Sequence, residues 1–560
     1  MNRLKSWLRS LFNRETLRED AVAGLVLGVE SVPDGLAGGL LAGVNPVFGL
    51  YGYMVGTVTG ALFTSATFMA VQATGAMAII VADVPSVHGG EDPERALFTL
   101  AVVTGAVMLA AGLFKLGSLL RWVSNSVMVG FINAVGINIV LGQLDNFSGY
   151  EAEGANRVVR AFDLLFNLGE AHWPSVLIGA TTIVLIIVFE KTRLGSLGMV
   201  AAIIVTSVVV PLVGWDVQQL RDITEIPGSL PLPMWPDLRL IPALLLPAAA
   251  LAFVGLVQGA GISASFPNPD GEFPDASQDF VGQGAANVAA GIFQGMPVGG
   301  SMSASSLVKE AGARSKAAML IAGVVMAVSI LLLGDAVGYI AMPALAGLLM
   351  IVGYRTVKPG DIKAVWRTGS TQAVVMSVTF VLTMIIPLQN AVLVGIGISL
   401  ILFVIKQSNR ITVRQWIVAD DGRLREVEAP SEVGPNEVVI LQPYGSLFFA
   451  SASLFEEELP DVVATSENSV VIIRLRGKTD LGSTFMEVLH RYASSLLELN
   501  SRLVLVYADE RVHDQLVATG VAELLGPEGT YTSDEWVGST VKRAHADATV
   551  WINEHLAEGG

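Results

Sequence analysis

Two acidic residues stand where an apolar stretch should exclude them. The segment GVESVPDGLAGGLLAG places Glu30 and Asp34 four residues apart, hence on one face of a helix. Both lie well inside a stretch long enough to cross a bilayer, where an ionisable group is costly and usually functional. Pro33 between them frees a backbone carbonyl that could help to bind an ion. Such a pair suits coupling of transport to H+ or Na+, with a bound Na+ as the only cofactor expected. The alternative is a carboxylate pair that faces a water-filled vestibule or stays protonated.

A second constellation carries no charge. The segments FMAVQATGAMAII and PVGGSMSASSLVKEAG are short and rich in small and hydroxyl residues. A half-helix that begins mid-membrane exposes unpaired N–H groups and the positive end of its dipole. It binds an anion without needing a basic side chain. Two such ends facing each other would form an anion cradle, with its floor at Gln72, Ala73 and Thr74 and at Ser301, Met302, Ser303 and Ala304. The alternative is a polar seam of helix packing. Gln258, the one amide of LAFVGLVQGAGISAS, lies at mid-depth. It could bond substrate, an acid of the first span, or simply a neighbouring helix. Gly35, Gly39 and Gly43, like Gly52, Gly56 and Gly60, repeat every four residues, which indicates close helix packing rather than chemistry.

The elements that must position these groups are membrane helices. Hydrophobic residues make up 52% of the 560 and charged residues only 15%, against about a quarter charged in soluble proteins. Twelve apolar stretches between 21 and 406 are of crossing length: 21–43, 47–65, 97–117, 122–142, 174–190, 196–214, 241–262, 280–294, 316–334, 336–354, 372–387 and 389–406. The short segments 71–83 and 301–309 bring the count to about fourteen, so both ends lie on one side. Lys115, Arg121, Lys191, Arg193, Lys309, Arg314, Lys316, Arg355 and Lys358 then fall in loops on the side of the N-terminus. Arg95, Arg157, Arg160, Arg221 and Arg239 fall opposite, mixed with acids. This is the bias of cytoplasmic termini in an inner or plasma membrane.

A weak repeat relates the two halves. GYMVGTVTGALFTS begins at Gly52 and GQGAANVAAGIFQG at Gly282, and each runs into one of the short segments. Seven spans per half would set the second half inverted, and paired short helices in corresponding positions point to a transporter binding site. Residues 1–19, with Trp7, Leu8, Leu11 and Phe12, suit a cytoplasmic amphipathic helix rather than a cleaved signal. The transmembrane region is placed at 20–408, a linker at 409–434 and a soluble α/β domain at 435–555. In that domain EVGPNEVVILQPYGSLFFASASLF suggests a strand, a turn and a second strand. TFMEVLHRYASSLLELN suggests a helix with Phe485, Val488, Leu489 and Tyr492 on one face, and Ser483 is a plausible N-cap.

Several classes are excluded. There is no cysteine, hence no disulfide or thiolate site. The net charge of −16 gives no nucleic-acid partner. No nucleotide loop, metal-ligand cluster or nucleophile–base pair marks an enzyme.

The blocks VNPVFGLYGYMVGTVTGALF, DASQDFVGQGAANVAAGIFQGMPVGGSMSASS and KEAGARSKAAML resemble the SulP anion permeases, and GSLFFASASLFEEELP resembles the start of that family's C-terminal STAS domain. The likeness covers about 18–555. It implies an α-helical polytopic membrane protein of 14 transmembrane segments in a 7+7 inverted repeat with core and gate subdomains, plus a cytoplasmic α/β STAS domain. It also implies an anion site between the third and tenth spans, elevator-like movement and a homodimer. Where many relatives carry an acid, Gln and Arg, this chain has Gln258, Asp34 and Ala304. The carboxylate has thus moved from the eighth span to the first, which assigns cation coupling to Glu30 and Asp34. Phe485 stands where the STAS phosphorylation loop often has Gly. The expected activity is secondary transport of sulfate, bicarbonate or small carboxylates with H+ or Na+. The alternatives are a membrane-anchored STAS scaffold or an anion channel.

Overall fold

A computed structural model describes residues 16–558 apart from 117–123, 224–227, 389, 392, 393, 396, 399, 400, 403–410, 420, 446, 448–450, 476, 479 and 508. Residues 1–15 of the expected amphipathic helix in 1–19 and much of the stretch 389–406 lie outside the described residues, and 17–19 already belong to the first membrane helix. The chain forms two compact units, 1–399 and 400–560.

The first unit is built from apolar helices: α1 (Leu17–Leu41), α2 (Pro46–Phe63), α3 (Gly75–Ala82), α4 (Pro93–Leu113), α5 (Asn125–Gly142), α6 (Arg157–Phe166), α7 (Trp173–Glu190) and α8 (Leu197–Val213). After a long connection come α9 (Ile241–Ser265), α10 (Ala276–Ile292), α11 (Met302–Glu310), α12 (Ala317–Gly338), α13 (Met342–Thr356) and α14 (Ser370–Ile385). Among the described residues seven helices are long and apolar enough to cross a membrane. Local chemistry sets their ends. Asn45 caps α2 through the Val47 N–H, with Pro46 at the first turn, and Asp275 caps α10 through the Ser277 and Gln278 N–H groups. The segment expected at 336–354 starts later, at Met342, because α12 continues to Gly338 and Pro343 fixes the next first turn.

The helices fall into two groups. In one, α10 packs on α4 and α2, α9 on α4, and α1 on α12 and α2. In the other, α5 packs on α14 and α13, and α7 on α8 and α13. The groups meet chiefly where α3 touches α5 and where α1 touches α8 and α13. The shift that sets Gly52 on Gly282 also sets Pro46 on Ala276, so α2 and α10 begin at matching positions.

Five of the six spaced glycines pack as expected. A Cβ on Gly39 would lie 2.7 Å from the Pro46 Cα, and one on Gly56 would lie 2.7 Å from the Val71 carbonyl oxygen. Gly43 differs: it follows α1 with φ +68°, a left-handed turn that leads into α2.

The second unit is a six-stranded sheet in the order β4–β3–β5–β6–β7–β8, made of β3 (Thr412–Val418), β4 (Leu424–Glu428), β5 (Val438–Tyr444), β6 (Val470–Arg474), β7 (Arg502–Tyr507) and β8 (Thr530–Thr532). β5 to β8 are parallel and β3 is antiparallel to both its neighbours. Strand alternation feeds two cores. Val439, Leu441, Val471 and Ile473 face one core together with Phe485 and Leu489 of α16 (Gly482–Leu497), where α15 (Ala452–Glu457) also contributes Phe455. Ile440, Val470, Ile472 and Val504 face Val541 and Ala548 of α17 (Ser539–Glu558).

Three expectations need correction here. The stretch 409–434 is not a linker: it carries the hairpin β3–β4, whose Asp421–Gly422 turn with φ +75° at Gly422 is a hairpin signal. The second strand expected before Glu456 is the helix α15, because β5 and β6 run parallel and need a crossover rather than a hairpin. Ser483 is not an N-cap. The helix starts one residue earlier at Gly482, which has φ +67°, and the Asp480 carboxylate accepts its N–H at 3.2 Å. Phe485 is fully buried, with its ring 4.6 Å from that of Phe455, so it is a core residue.

Candidate functional site

The two short segments meet. Residues Ala70–Gln72 form β1 and Gly299–Ser301 form β2, and the two pair antiparallel with Ala70 opposite Ser301, Val71 opposite Gly300 and Gln72 opposite Gly299. Each strand leads directly towards a short helix, β1 to α3 and β2 to α11. The sequence indicated two interrupted helices but not that the interruptions would pair as strands. Strand pairing satisfies backbone groups that lipid could not, and it fixes both helix N-termini beside one ladder.

Each helix start is capped from within. The Thr74 hydroxyl accepts the Met77 N–H at 3.4 Å, and the Ser301 hydroxyl accepts the Ala304 N–H at 3.4 Å. The N–H groups of Gly75 and Ala76, and of Met302 and Ser303, stand ahead of the helical ladders. Their mouth is accessible: Thr74 and Gly75 are half-buried, while Met302 and Ser303 are exposed. Ser303 lies 3.2 Å, hydroxyl to hydroxyl, from Ser301. Ala304 is buried.

Close backbone approach makes the arrangement possible. A Cβ on Gly300 would lie 2.8 Å from the Gly259 Cα, so α9 passes directly against β2. This brings Gln258 to the mouth, where its Oε1 accepts from the Thr74 hydroxyl at 2.9 Å. The three roles open to Gln258 are thereby narrowed: through its oxygen it ties α9 to the start of α3. Gln72 behaves differently from expectation. Its side chain is buried and its amide donates to Ser31 at 2.9 Å and Thr57 at 3.2 Å, so it anchors β1 to α1 and α2.

Sequence reasoning passed over several supporting residues. The Asn287 side chain clamps Val298, donating to its carbonyl at 2.6 Å and accepting its N–H at 2.9 Å. Gln283 accepts the Gly300 N–H at 3.0 Å, and Ser305 accepts the Ala70 N–H at 3.0 Å. The signal was present, since Gln283 and Asn287 are amides four apart in an apolar helix.

Of the acids of α1, Asp34 is joined to the residue that follows β1. Asp34 Oδ2 is 2.7 Å from the Tyr53 hydroxyl, which is itself 2.8 Å from the Ala73 carbonyl oxygen. Tyr53 was not singled out from sequence. Glu30, one turn away, has a buried Oε2 with no hydrogen-bond partner. Glu30 and Asp34 thus share a face, yet only Asp34 is joined to the strand ladder. Glu30 lies within electrostatic reach of Glu190 and Arg355, which pair across α7 and α13.

Among the described residues, one ion pair bridges the two helix groups. Asp83, which ends α3, pairs with Arg157 of α6 at 3.0 Å and accepts the Leu388 N–H at 2.9 Å.

The Sulfate permease family matches residues 17–379, and the STAS domain matches 429–544. The chain is 25% identical to a putative sulfate transporter, YvdB, of Bacillus subtilis, over 92% of this chain and 96% of the relative. It is 24% identical to a probable sulfate transporter 4.2 of Arabidopsis thaliana, over 93% of this chain and 80% of the relative. Among solved structures, it superposes on murine Solute Carrier 26 family member A9, an anion transporter in the inward-facing state, with a TM-score of 0.83 at 20% identity, covering 97% of this chain and 93% of that one. The transmembrane domain of the cyanobacterial bicarbonate transporter BicA gives a TM-score of 0.59 at 22% identity, over 70% of this chain and 98% of that one.

Proposed function

The chain belongs to the sulfate permease family, and from that premise we propose that it carries small anions (sulfate, bicarbonate or small carboxylates) by secondary active, elevator-type alternating access. It is a multi-pass membrane protein with a STAS domain. The observation that carries the proposal is the β1–β2 pairing, which sets the N-termini of α3 and α11 beside one accessible mouth. Unpaired N–H groups and two helix dipoles there attract an anion without a basic residue. Thr74, Ser301, Met302, Ser303 and Gln258 line that mouth, Ala73 and Ala304 form its floor, and Gln72 supports it from behind.

Coupling to H+ or Na+ is assigned to Glu30 and Asp34, the acids of α1 on either side of Pro33. The separation of the helices into two packed groups supports movement of one against the other, with the Asp83–Arg157 bond as a contact that such movement must break. Likeness to the family supports a homodimer, a cell-membrane location and cytoplasmic termini.

Uptake of labelled sulfate and bicarbonate into proteoliposomes, with and without pH and Na+ gradients, tests this reading. Saturable, gradient-stimulated uptake is expected. Flux that never saturates would mean a channel, and no flux under any gradient would mean a scaffold built around the STAS domain.

A further inference from the structure

The helix α6 turns its apolar side away from the protein. Its sequence RVVRAFDLLF sets Val159, Phe162 and Phe166 three and four residues apart, hence on one face, with Leu165 beside them. These four side chains are 46% to 86% exposed. The other side carries the buried Leu164 and the three charged residues of the helix, each of which is bound to the protein. Arg157 donates to Asp83 at 3.0 Å, and the Arg160 Nε donates to the Gly154 carbonyl at 3.3 Å. Asp163 accepts from the Tyr150 hydroxyl at 3.1 Å and from the Glu153 N–H at 2.9 Å. A helix on a water-facing surface has the reverse arrangement, with its apolar stripe inward and its charges out.

Both ends of α6 are tied to one membrane face. Arg157 meets Asp83, where α3 ends, and Asp163 holds Tyr150 and Glu153 in the loop after α5. The segment 167–172 then leads to the start of α7, where the His172 N–H donates to the Ser148 carbonyl at 2.8 Å. With 10 residues α6 is too short to cross a bilayer, so it lies along the surface. Its apolar face continues along the chain through the exposed Leu168 into α7, a helix long and apolar enough to cross a membrane. Trp173, Leu177, Val184, Ile187 and Val188 of α7 are exposed. Trp173 is the residue type that marks the boundary between lipid and water.

We propose that α6 is an interfacial helix whose partner is the lipid bilayer: Val159, Phe162, Leu165 and Phe166 sit at the boundary of headgroups and acyl chains, and this seat keeps Arg157 against Asp83. The proposal needs only that the chain is a membrane protein and does not rest on the anion site. The face holds no polar side chain that would fix the register of a second protein chain, whereas lipid requires none. Asp83 ends α3, and the Thr74 cap begins it. The depth of α6 in the lipid thereby bears on the mouth through a single short helix.

The chain has no cysteine, so single cysteines can carry a nitroxide without background. The full-length protein is reconstituted in phosphatidylcholine vesicles. Labels on Phe162→Cys and Phe166→Cys should collide preferentially with oxygen, which concentrates among acyl chains, and report a depth of about 5–10 Å. A label on Glu153→Cys should collide preferentially with a water-soluble nickel complex. Preference for nickel at 162 and 166 would place the face in water, and dipolar broadening between labels would mean that a second copy covers it. Either result overturns the proposal.

The link to Asp83 is read from the labelling rate of Ser303→Cys. Phe162→Ser combined with Phe166→Ser should change that rate several-fold, in the direction of Arg157→Ala, and adding Arg157→Ala should change it no further. Phe162→Leu combined with Phe166→Leu, which keeps the face apolar, should leave the rate as it was. A rate that the serine pair does not alter, effects that simply add, or an equal change in the leucine pair would overturn the link.

Discussion

The Thr74 hydroxyl donates to Gln258 Oε1 at 2.9 Å, which joins the cap of one short helix to the middle of a long one. The bond commits the oxygen of the Gln258 amide, so its N–H groups are the part that can face an anion. Gln258→Glu keeps the acceptor for Thr74 but replaces those donors with negative charge. Sulfate binding, measured by isothermal titration, should weaken at least about tenfold above the titration of the new carboxyl, close to 1.4 kcal/mol. Unchanged affinity at high pH would place Gln258 outside the site.

The Asp83–Arg157 bond gives a prediction about conformation. Its side chains are 16% and 23% exposed, so it is neither fully buried nor freely solvated. Arg157→Ala removes about 1 kcal/mol that favours the present arrangement of the two helix groups. The protein has no cysteine, so a single Ser303→Cys reports access to the mouth without background. Adding Arg157→Ala should change its labelling rate several-fold. An identical rate would show that the bond does not hold this state.

Asp279 is predicted to act through stability alone. It collects donors from the Ser65 and Ala66 backbone and from Ser263, joining α9 and α10 to the segment after α2. Asp279→Asn places an N–H2 group where donors converge. A loss of about 2 kcal/mol is expected, seen as a lower thermal midpoint in detergent, while the pH dependence of sulfate binding keeps its wild-type form.

The soluble unit offers a pH test. The Gln515 side-chain amide and the Gly482 N–H hold the Asp480 carboxylate below its ordinary range. A carboxylate depressed on folding adds stability above its unfolded value, about 3.9, and that contribution is lost as pH falls through the folded value. Asp480 is exposed, so screening limits the effect to roughly 0.3 kcal/mol. Asp480→Asn should lower the unfolding midpoint of this unit slightly at neutral pH, and the difference should vanish in acid.

How much could be read before the fold was known depended on the kind of signal. Helix positions, the two interrupted segments and the packing glycines follow from apolar length and four-residue spacing, which are local properties. Pairing of β1 with β2 joins residues some 230 positions apart, and no local pattern announces it. Tyr53 looked like an ordinary aromatic of an apolar helix. Its role depends on Asp34 and Ala73 approaching it from two other segments. Gln72 was placed in the cradle by residue type, but its amide is taken by Ser31 and Thr57, which only the packing of α1 and α2 decides. In the soluble unit α15 is helical because the parallel strands β5 and β6 require a crossover, which residue type alone does not reveal. The Asp421–Gly422 turn, by contrast, is a local hairpin signal.

The most direct measurement is a density map of the full-length protein in lipid nanodiscs with saturating sulfate, paired with the same map for Ser303→Trp. Paired strands at 70–72 and 299–301 are expected, with an anion against the N–H groups of Gly75, Ala76 and Ser303, and none in the variant. Sulfate held elsewhere, or the two segments separated or continuous as unbroken helices, would contradict the account.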